Sequence, residues 1–405
     1  MTGHGHSQTV FQGDFKAVPP IPQAGVDRAI ALMKSGRLHR YNIRSTEESD
    51  VALLEKEFAE YLGVPYCLAL SSCGSALHVA LRSAGVRPAD KVLFNAFTLA
   101  PVPGAIVNAG AQPVPVECTE NCTIDISDLD RRAAQTGAKF LLLSHMRGHI
   151  SDMDAVCRIC RDKRICLIED CAHTVGATWD GHPSGTLGQI GCFSTQDYKH
   201  LNSGEGGLLV TPDQEIAARA ILYSGSYMLY DSHISRPSLE IFERFKTCVP
   251  NFSLRMTNLQ AALLRPQIKE IECRVVAWNV RYRLLEEWLS QVDHLVIPSR
   301  FPQESFVGSS FQFLLKDLSR DQIERFLDKC FKRGVRIAWF GATEPCEYTS
   351  TFKSWQYIEG LPVLEATRLL LNALFDFRIS LTFCEDDCRT IAGIIKDSLE
   401  STCPG

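Results

Sequence analysis

The sequence predicts an α/β protein with a large domain, whose mostly parallel mixed sheet is flanked by helices, and a smaller α+β domain after it. Short apolar runs recur through the middle of the chain, at residues 66–70, 91–94, 113–116, 139–144, 165–168, 191–194 and 207–211. Helix-like segments separate most of these runs, at residues 75–83, 127–136, 153–162 and 214–223. Apolar strands that alternate with helices are typical of a parallel sheet covered on both faces.

The sequence on either side of this region has a different character. A periodic segment that stops at a glycine predicts a helix over residues 50–62. After about residue 266, long amphipathic helices are expected at residues 268–289 and 320–333, with a strand between them at residues 310–315. We therefore divide the chain into a flexible tail, a large domain and a small domain, at residues 1–20, 21–265 and 266–405.

Length and charge exclude several classes of protein. The chain has 405 residues, of which 45% are hydrophobic and 22% charged, which is enough apolar material for two folded domains. The formal net charge is −5, so there is no basic field to attract nucleic acid or an anionic membrane. No apolar run is long enough to cross a bilayer, and the N-terminus lacks the pattern of a secretory signal. These features predict a cytoplasmic protein.

The sixteen cysteines are expected to be reduced in that compartment. Most lie in apolar runs, where they behave as small hydrophobic residues. Cys157 and Cys160 have the spacing of a metal-binding pair, and Cys166 is nearby. No second pair follows at zinc-finger spacing, so we favour packing and predict no metal site.

Two groups of polar residues follow predicted strands, and each group has a functional interpretation. The segment SSCGSAL places Gly74 and Ser75 at the start of a helix, where free amides bind phosphate; a simple helix cap is the alternative. Asp170 ends an apolar strand, and His173 follows three residues later. A partly buried carboxylate needs a partner, and the protonated ring nitrogen of a cofactor would serve; a turn cap is the alternative.

A third group surrounds Lys199, which follows the strand that ends at Ser194. A lysine in a desolvated pocket loses its proton readily and forms Schiff bases, although most lysines lie in surface loops. Taken together, a phosphate cradle, a strand-end aspartate and a lysine on one α/β sheet are what pyridoxal 5'-phosphate needs. The aspartate keeps the pyridine nitrogen protonated, and the lysine holds the cofactor and moves protons.

The chain resembles the DegT/DnrJ/StrS family of fold-type I aminotransferases, which act on sugars and cyclitols. The resemblance runs over nearly the whole chain and is most specific in the aspartate and lysine blocks. The segments that carry it are SGRLHRYN, LEKEFAEYLGVPYCLALSS, FLLLSHMRGHISDMDAV, LIEDCAHTVGA, GCFSTQDYKHLNSGEGGLLVT and NFSLRMTNLQAALLRPQI. The lysine block is nearest to the cyclitol branch, which aminates keto-inositols with glutamine as the donor.

The resemblance implies a role for each matching residue. Lys199 is the Schiff-base lysine, Asp170 pairs with the pyridinium nitrogen and His173 contacts the ring hydroxyl. The phosphate is held by Gly74, Ser75 and Ser194. Asn251 corresponds to the asparagine that this family extends to the phosphate of the neighbouring subunit, which implies a homodimer with shared active sites.

The chain also departs from the family pattern. Leu99 stands where many relatives have an aromatic residue that stacks on the cofactor ring, and Phe97 is a candidate substitute. Cys73 replaces a more usual glycine. The C-terminal third is unlike the usual sugar-binding stretches. In that third four residues are candidates for contacting a carboxylate or a flat group, with core packing or surface salt links as the favoured alternative: Arg336, Trp339, Tyr348 and Arg378.

These observations lead to one expected function and two alternatives. We expect a pyridoxal-phosphate-dependent aminotransferase that moves an amino group from glutamate or glutamine to a keto or aldehyde acceptor, such as a keto-sugar or keto-cyclitol, in small-molecule biosynthesis. A lyase, cyclase or decarboxylase acting on an amino acid is the first alternative. A non-catalytic sensor that binds the cofactor is the second. The identity of the acceptor is not determined by the sequence, since one fold serves many substrates.

Overall fold

Helices and strands alternate through the larger part of the chain in the computed structural model, which describes residues 9–44 and 47–403. The helices are α1 (Gln23–Ser35), α2 (Asp50–Leu62), α3 (Cys73–Ser83), α4 (Pro101–Asn108), α5 (Ile126–Thr136), α6 (Met153–Lys163), α7 (Gln214–Ser224), α8 (Leu239–Glu243), α9 (Asn258–Ile268), α10 (Ile271–Leu289), α11 (Arg320–Lys332), α12 (Glu365–Ala373) and α13 (Glu385–Glu400). The strands are β1 (Tyr66–Leu70), β2 (Lys91–Asn95), β3 (Gln112–Val116), β4 (Phe140–Ser144), β5 (Cys166–Asp170), β6 (Thr178–Trp179), β7 (His182–Pro183), β8 (Ile190–Ser194), β9 (Gly207–Thr211), β10 (Leu295–Val296), β11 (Glu304–Ser305), β12 (Ser310–Leu315), β13 (Ala338–Trp339) and β14 (Leu374–Arg378). Within the described ranges, no helix has the length and apolar character needed to cross a lipid bilayer.

Seven of the described strands form the larger sheet, in the order β1-β9-β8-β5-β4-β2-β3. The pairs from β8 to β3 are parallel, whereas β9 runs antiparallel to both of its neighbours. This is the mostly parallel mixed sheet that the sequence predicted, and the α/β class is confirmed. Because β4, β5 and β8 run in the same direction, their last residues, Ser144, Asp170 and Ser194, lie at one edge of the sheet.

Local chemistry accounts for most of the element boundaries. In α2, the Ser49 side chain accepts a hydrogen bond from the Ala52 amide, and Gly63 ends the helix with a φ of 69° that a residue without Cβ adopts freely. Helix α4 is not among the predicted helices, because its proline and glycine residues are weak helix formers. Packing stabilises it, since Val102 and Ile106 are buried.

A smaller sheet follows, in the order β10-β12-β14-β13, with α10 and α13 packed against each other beside it. One buried apolar cluster includes both Leu141 of the larger sheet and Phe313 of the smaller one. The two sheets therefore share a continuous core, and the domain boundary near residue 266 stays a prediction.

The N-terminal segment differs from the expected flexible tail. Residues 1–8 lie outside the described residues, but Phe11 and Phe15 are buried and pack edge-to-face against Phe383. The Phe11 amide also donates to the carbonyl of Arg333, at 2.8 Å. For residues 9–20 the prediction is therefore wrong, because the two aromatic rings gain a buried site on the smaller sheet that the local sequence does not reveal.

A buried ionic cluster around Glu55 links four segments of the large sheet region. Both terminal nitrogens of the Arg40 guanidinium donate to the Glu55 carboxylate at 2.9 Å, and the Ala69 amide donates to the same carboxylate at 2.9 Å. His233 Nδ1 lies 3.2 Å from Glu55 as well. Burial opposes ionisation of Glu55, but the adjacent guanidinium outweighs it, so the pKa of Glu55 falls to about 2.

Glu55→Gln should lower the free energy of unfolding by about 3–5 kcal/mol, because it leaves the Arg40 charge buried without its partner. The lowered pKa also fixes the direction of the pH dependence of stability. Ionised Glu55 stabilises the fold above its unfolded pKa of about 4.3, and this contribution is lost as the pH falls toward 2. Denaturant unfolding of wild type and variant between pH 6 and pH 3 measures both effects. Glu60→Gln, on the exposed side of the same helix, is the control and should change stability by less than about 0.5 kcal/mol. Equal stabilities for wild type and Glu55→Gln would contradict this assignment.

Candidate active site

Asp170 lies at the centre of the polar sheet edge, with only 6% of its surface exposed. Its Oδ2 accepts a hydrogen bond from Ser144 Oγ at 2.8 Å, and its Oδ1 accepts from the Ala172 amide at 3.2 Å. Cys73 Sγ, at the start of α3, is 3.9 Å from Oδ1. The strand end and the helix start predicted from separate motifs are therefore adjacent.

The Asp170 carboxylate forms no ion pair with any residue in the described part of the chain, since its contacts there are a hydroxyl, a thiol and an amide. Burial raises its pKa, although the hydrogen bond from Ser144 opposes the shift. A buried carboxylate in this condition gains stability when a cation binds beside it. The geometry therefore favours a positively charged group at this position.

Lys199 follows β8 and points its amine toward the same region. The Lys199 Nζ lies 3.0 Å from His173 Nε2; His173 is buried, and Lys199 is half-buried. Burial, followed by the positive charge of Arg147, lowers the pKa of Lys199 to about 8, although the Asp170 charge opposes the shift. Burial and the charge of Lys199 also lower the pKa of His173 well below its usual range. Lys199 is thus an amine that releases its proton near neutral pH, as a nucleophile or base requires.

The first turn of α3 forms the third part of the site. Ser72 caps the helix, since its Oγ accepts from the Ser75 amide at 3.0 Å, and Ser75 Oγ lies 2.9 Å from Ser72 Oγ. A Cβ built on Gly74 would meet nothing nearer than 3.8 Å, so there is open space beside these amides. Amides in a first turn have no partner within the helix, and they attract anions.

Ser194 is held close to this turn by the sheet. Gly207 on β9 pairs with Leu70 on one side and with Ser194 on the other. A Cβ at position 207 would lie 2.4 Å from the carbonyl oxygen of Ser72, so glycine is needed for the serine-rich turn to approach the strand. The structure therefore brings Gly74, Ser75 and Ser194 to one end of the site.

Two other predicted residues have no hydrogen bond to this site among the described residues. Asn251 is exposed, and its Oδ1 accepts from the Ser253 amide at 2.9 Å; no hydrogen bond of the described residues joins it to this site. Phe97 is only 1% exposed and packs edge-to-face on Phe340 at 5.2 Å. The suggestion that Phe97 stacks on a cofactor is therefore wrong, because its ring is enclosed in the core.

The structure also adds residues that the motifs did not identify. Ser144 ends β4 as Asp170 ends β5, so the rule that polar chemistry collects at strand ends could have found it. Arg147 has a φ of 55°, unusual for a residue with a side chain, and no local sequence signal marks it. Residues 17–19 and Tyr198 line the Lys199 cleft together with Arg378 from the smaller sheet. These contacts join segments that are far apart in sequence.

The cysteine pair predicted from the sequence, and one cluster of residues that could ligate a metal, are explained by packing and hydrogen bonding. Cys160 is buried in the apolar core, and Cys157 packs against it. Among the described residues, His145, Glu169 and Cys171 form the one cluster with atoms close enough to hold a metal ion. Its Glu169 carboxylate already accepts from His145 and from the amides of Gly185, Leu187 and Gly188. These hydrogen bonds hold Glu169 in place, so the cluster is explained as structural support for the adjacent residue, Asp170.

Comparison with known proteins gives a consistent result. The profile of the DegT/DnrJ/EryC1/StrS aminotransferase family matches residues 32–395. The chain is 29% identical to 3-amino-5-hydroxybenzoate synthase of Amycolatopsis mediterranei over 80% of each chain. It is 32% identical to GDP-perosamine synthase of Caulobacter vibrioides, over 55% of this chain and 59% of that protein. The crystal structure of a 3-amino-5-hydroxybenzoic acid synthase has the same fold, with a TM-score of 0.80 at 23% identity, covering 97% of this chain and 100% of the other.

Proposed function

Because the chain belongs to the DegT/DnrJ/EryC1/StrS aminotransferase family, whose cofactor is pyridoxal 5'-phosphate, we propose that it transfers an amino group from an amino-acid donor to a keto or aldehyde acceptor. The donor is glutamate or glutamine, and the acceptor is a keto-sugar or keto-cyclitol used in small-molecule biosynthesis. Two residues at one sheet edge carry the proposal: Asp170, a buried carboxylate that has no ion-pair partner among the described residues, and Lys199, an amine of lowered pKa.

The residues at this edge fit the chemical groups of the cofactor. The Asp170 carboxylate suits a protonated ring nitrogen, and the Lys199 amine suits an aldehyde. The first-turn amides of α3, with the hydroxyls of Ser75 and Ser194, suit a phosphate. His173, which is neutral because burial lowers its pKa, suits the oxygen substituent of the ring.

When bound, pyridoxal 5'-phosphate supplies an aldehyde that takes up the amino group and a cationic ring that withdraws electrons from the reacting carbon. Lys199 Nζ, with a pKa of about 8, would accept the proton from the Cα of the donor and would return it to the carbon on the other side of the transferred nitrogen. His173 Nε2, 3.0 Å from this amine, keeps it oriented. Asp170 remains ionised once a cation faces it, and Ser144 Oγ fixes its carboxylate.

The amino-group balance tests the reaction type. Purified holoenzyme incubated with glutamate or glutamine should release one equivalent of the corresponding 2-oxo acid per site, with loss of the cofactor's visible absorbance. A keto acceptor should then restore the absorbance, as ping-pong kinetics require. Continuous product formation without an acceptor would indicate a lyase, and no response to any amino donor would indicate a sensor.

The acceptor class is supported by the relatives, whose names include a perosamine synthase and an aminohydroxybenzoate synthase. The amino form of the enzyme should be tested against keto-cyclitols, nucleotide-linked keto-sugars and aliphatic aldehydes. Return of the visible absorbance with one class, and a product that contains the transferred nitrogen, would identify it. Reaction with aliphatic aldehydes alone would contradict the sugar or cyclitol assignment.

We also propose that the enzyme is a homodimer in which Asn251 completes the site of the neighbouring subunit. Its exposed side chain, which has no hydrogen bond to the site residues among the described residues of its own chain, supports this role. Asn251→Ala should weaken cofactor binding about tenfold, as expected for loss of one hydrogen bond to a charged group.

Mixing Asn251→Ala with inactive Lys199→Ala at limiting cofactor concentration should restore up to about a quarter of wild-type activity, because each hybrid dimer would contain one intact site. Lys199→Ala mixed with Asp170→Asn is the control and should recover nothing, since both residues belong to one chain's site. Failure of the first mixture to exceed the control, once light scattering has confirmed hybrid dimers, would refute the shared site.

A further inference from the structure

We propose, on the basis of the proposed aminotransferase function, that Arg147 is a positioning residue whose fixed positive charge favours the uncharged, reactive form of the Lys199 amine. Arg147 lies in the loop that follows β4, outside the motifs of the sequence analysis. Three features support this role: the place of the loop beside the site, the way in which the guanidinium is held, and the charges that surround the amine.

The loop that carries Arg147 packs against the residues of the site. The His145 amide donates to the carbonyl of Asp170 at 3.0 Å, so the loop begins beside the end of β5. A Cβ built on Gly148 would lie 3.2 Å from the carbonyl oxygen of His173, so the far end of the loop touches that residue. The residue between these two contacts is therefore held against the reacting end of the site.

The guanidinium of Arg147 is enclosed and fixed. Its side chain is only 10% exposed, and a terminal nitrogen lies 3.0 Å from one carboxylate oxygen of Asp376 on β14. The buried amide of Gln312 donates to the other oxygen of this carboxylate at 2.6 Å, and His149 Nε2 lies 3.0 Å from Gln312 Oε1. Because so little of the side chain is exposed, we assign Arg147 an effect through its charge rather than a contact with the substrate.

The backbone of Arg147 also indicates a functional constraint. Its φ of 55° and ψ of 23° are left-handed, a conformation that a residue with a side chain adopts at a cost. Such residues persist where their surroundings enforce the conformation, and they cluster at active sites. Here Arg300 donates to the carbonyl of Gly148 at 2.8 Å, and the Gly148 amide donates to the carbonyl of His145 at 3.1 Å. These bonds hold the turn, so the charge of Arg147 stays in one place.

Several charged and titratable groups surround the Lys199 amine. They lie on α3, β5, β14 and the adjoining loops, and they are Cys73, Arg147, Asp170, His173, Tyr198, His200 and Arg378. The thiol and the two imidazoles carry no charge, because burial raises the pKa of the thiol well above its usual range and lowers the pKa of each imidazole well below it. The charged groups of this set are therefore two guanidiniums and one carboxylate.

Arg147 has the largest effect of these charges on the amine. Burial, followed by the charge of Arg147, lowers the pKa of Lys199 to about 8, whereas the charge of Asp170 opposes the shift. The charges of Arg378 and Asp376 contribute less. Once a cation faces Asp170, the main opposing charge is balanced. Arg147 then remains as the fixed charge that favours an uncharged amine.

Arg147→Met tests this role, because methionine fills much of the same space without a charge. The holoenzyme is prepared in its amino form by reconstitution with pyridoxamine 5'-phosphate, so that Lys199 is not linked to the cofactor. Trace acetylation with acetic anhydride is then measured by peptide mass between pH 6 and pH 10, with the exposed Lys269 as the internal reference. Half-maximal acetylation of Lys199 should lie near pH 8 in wild type. It should lie about one pH unit higher in Arg147→Met, because a nearby like charge is lost.

Two further variants separate the charge of Arg147 from its packing. Arg147→Lys keeps a positive charge and should recover at least about half of the shift. Arg158→Met removes an exposed arginine of α6 and is the matched control, which should leave the midpoint unchanged. The circular dichroism spectrum and cofactor content of each variant are compared with those of wild type. A purely structural role would reduce the folded fraction without moving the midpoint of the protein that remains folded.

The pH dependence of the first half-reaction gives a second readout. The rate at saturating donor should fall on the acidic side at a pH about one unit higher in Arg147→Met than in wild type. At pH 7 the variant should therefore be about tenfold slower, because about tenfold less of its amine is uncharged. The two rates should converge above the midpoint of the variant.

The outcomes separate this inference from the proposed function. A wild-type acetylation midpoint in Arg147→Met would overturn the role of Arg147 while leaving transamination intact, and so would an Arg147→Lys protein shifted as far as the methionine variant. Absence of any half-reaction in wild type would overturn the proposed function instead. The acetylation measurement would still report on Arg147 in that case, because the amino form is prepared without a donor.

Discussion

Lys199→Ala should lower turnover by about 10⁴-fold and remove the covalent link between the chain and its cofactor. The Lys199 amine is proposed both to form this link and to carry the proton between two carbon atoms, and a positioned general base contributes up to about 10⁴-fold. Its pKa of about 8 makes it an effective base near neutral pH. Borohydride reduction followed by peptide mass measurement should show the cofactor on Lys199 in wild type and on no lysine in the variant.

The control for this experiment is Lys269→Ala, which removes an exposed lysine after α9. It should keep wild-type turnover and wild-type labelling by borohydride. A Lys199→Ala protein that retained a tenth of the activity, or a cofactor fixed to another lysine, would refute the assignment of the reactive amine.

Asp170→Asn should still bind the cofactor but should lose on the order of 10²–10³-fold in turnover, the range for removal of one preorganised electrostatic contact. An amide has no charge to keep a ring nitrogen protonated, so the ring withdraws electrons less well. Ser144 Oγ, which donates to Asp170 at 2.8 Å, can donate equally to an amide oxygen, so the local fold should survive. Rate, cofactor content and thermal unfolding should be measured on the same preparation.

Asp154→Asn is the matched control, because Asp154 is exposed on α6. It should change none of the three measurements. If Asp170→Asn were as active as wild type, the buried carboxylate would have no part in the chemistry. If Asp170→Asn lost activity only in proportion to its loss of bound cofactor, the role of Asp170 would be to retain the cofactor rather than to keep the ring nitrogen protonated.

The sequence alone was sufficient for the local elements and for the residues that immediately follow strands. The strands at Tyr66–Leu70, Gly207–Thr211 and Ser310–Leu315 were predicted with their observed bounds, since buried strands are short apolar runs between turn residues. Asp170 and Ser194 were recognised because polar residues that end such runs stand out. The parallel direction of neighbouring strands then places their ends at one edge, which is why separate motifs converge in space.

Other features depended on contacts between distant segments. Phe11 and Phe15 looked like part of a polar tail because their apolar partner, Phe383, lies near the other end of the chain. Phe97 looked available for a cofactor until the structure enclosed it against Phe340. In each case the local sequence is compatible with exposure, and only the buried surface supplied by a remote segment decides otherwise.

The sequence by itself determined the α/β class, the apolar strands of the larger sheet and most of the helices between them, and it predicted the roles of the lysine and the aspartate. The tertiary structure alone decided which guanidinium near Lys199 has a partner: among the described residues Arg147 pairs with Asp376, whereas Arg378 has no carboxylate at ion-pair distance. The physical reason is that periodicity and capping act over a few residues, whereas ion pairing and desolvation depend on three-dimensional distance, which the smaller sheet sets when it packs against the larger one.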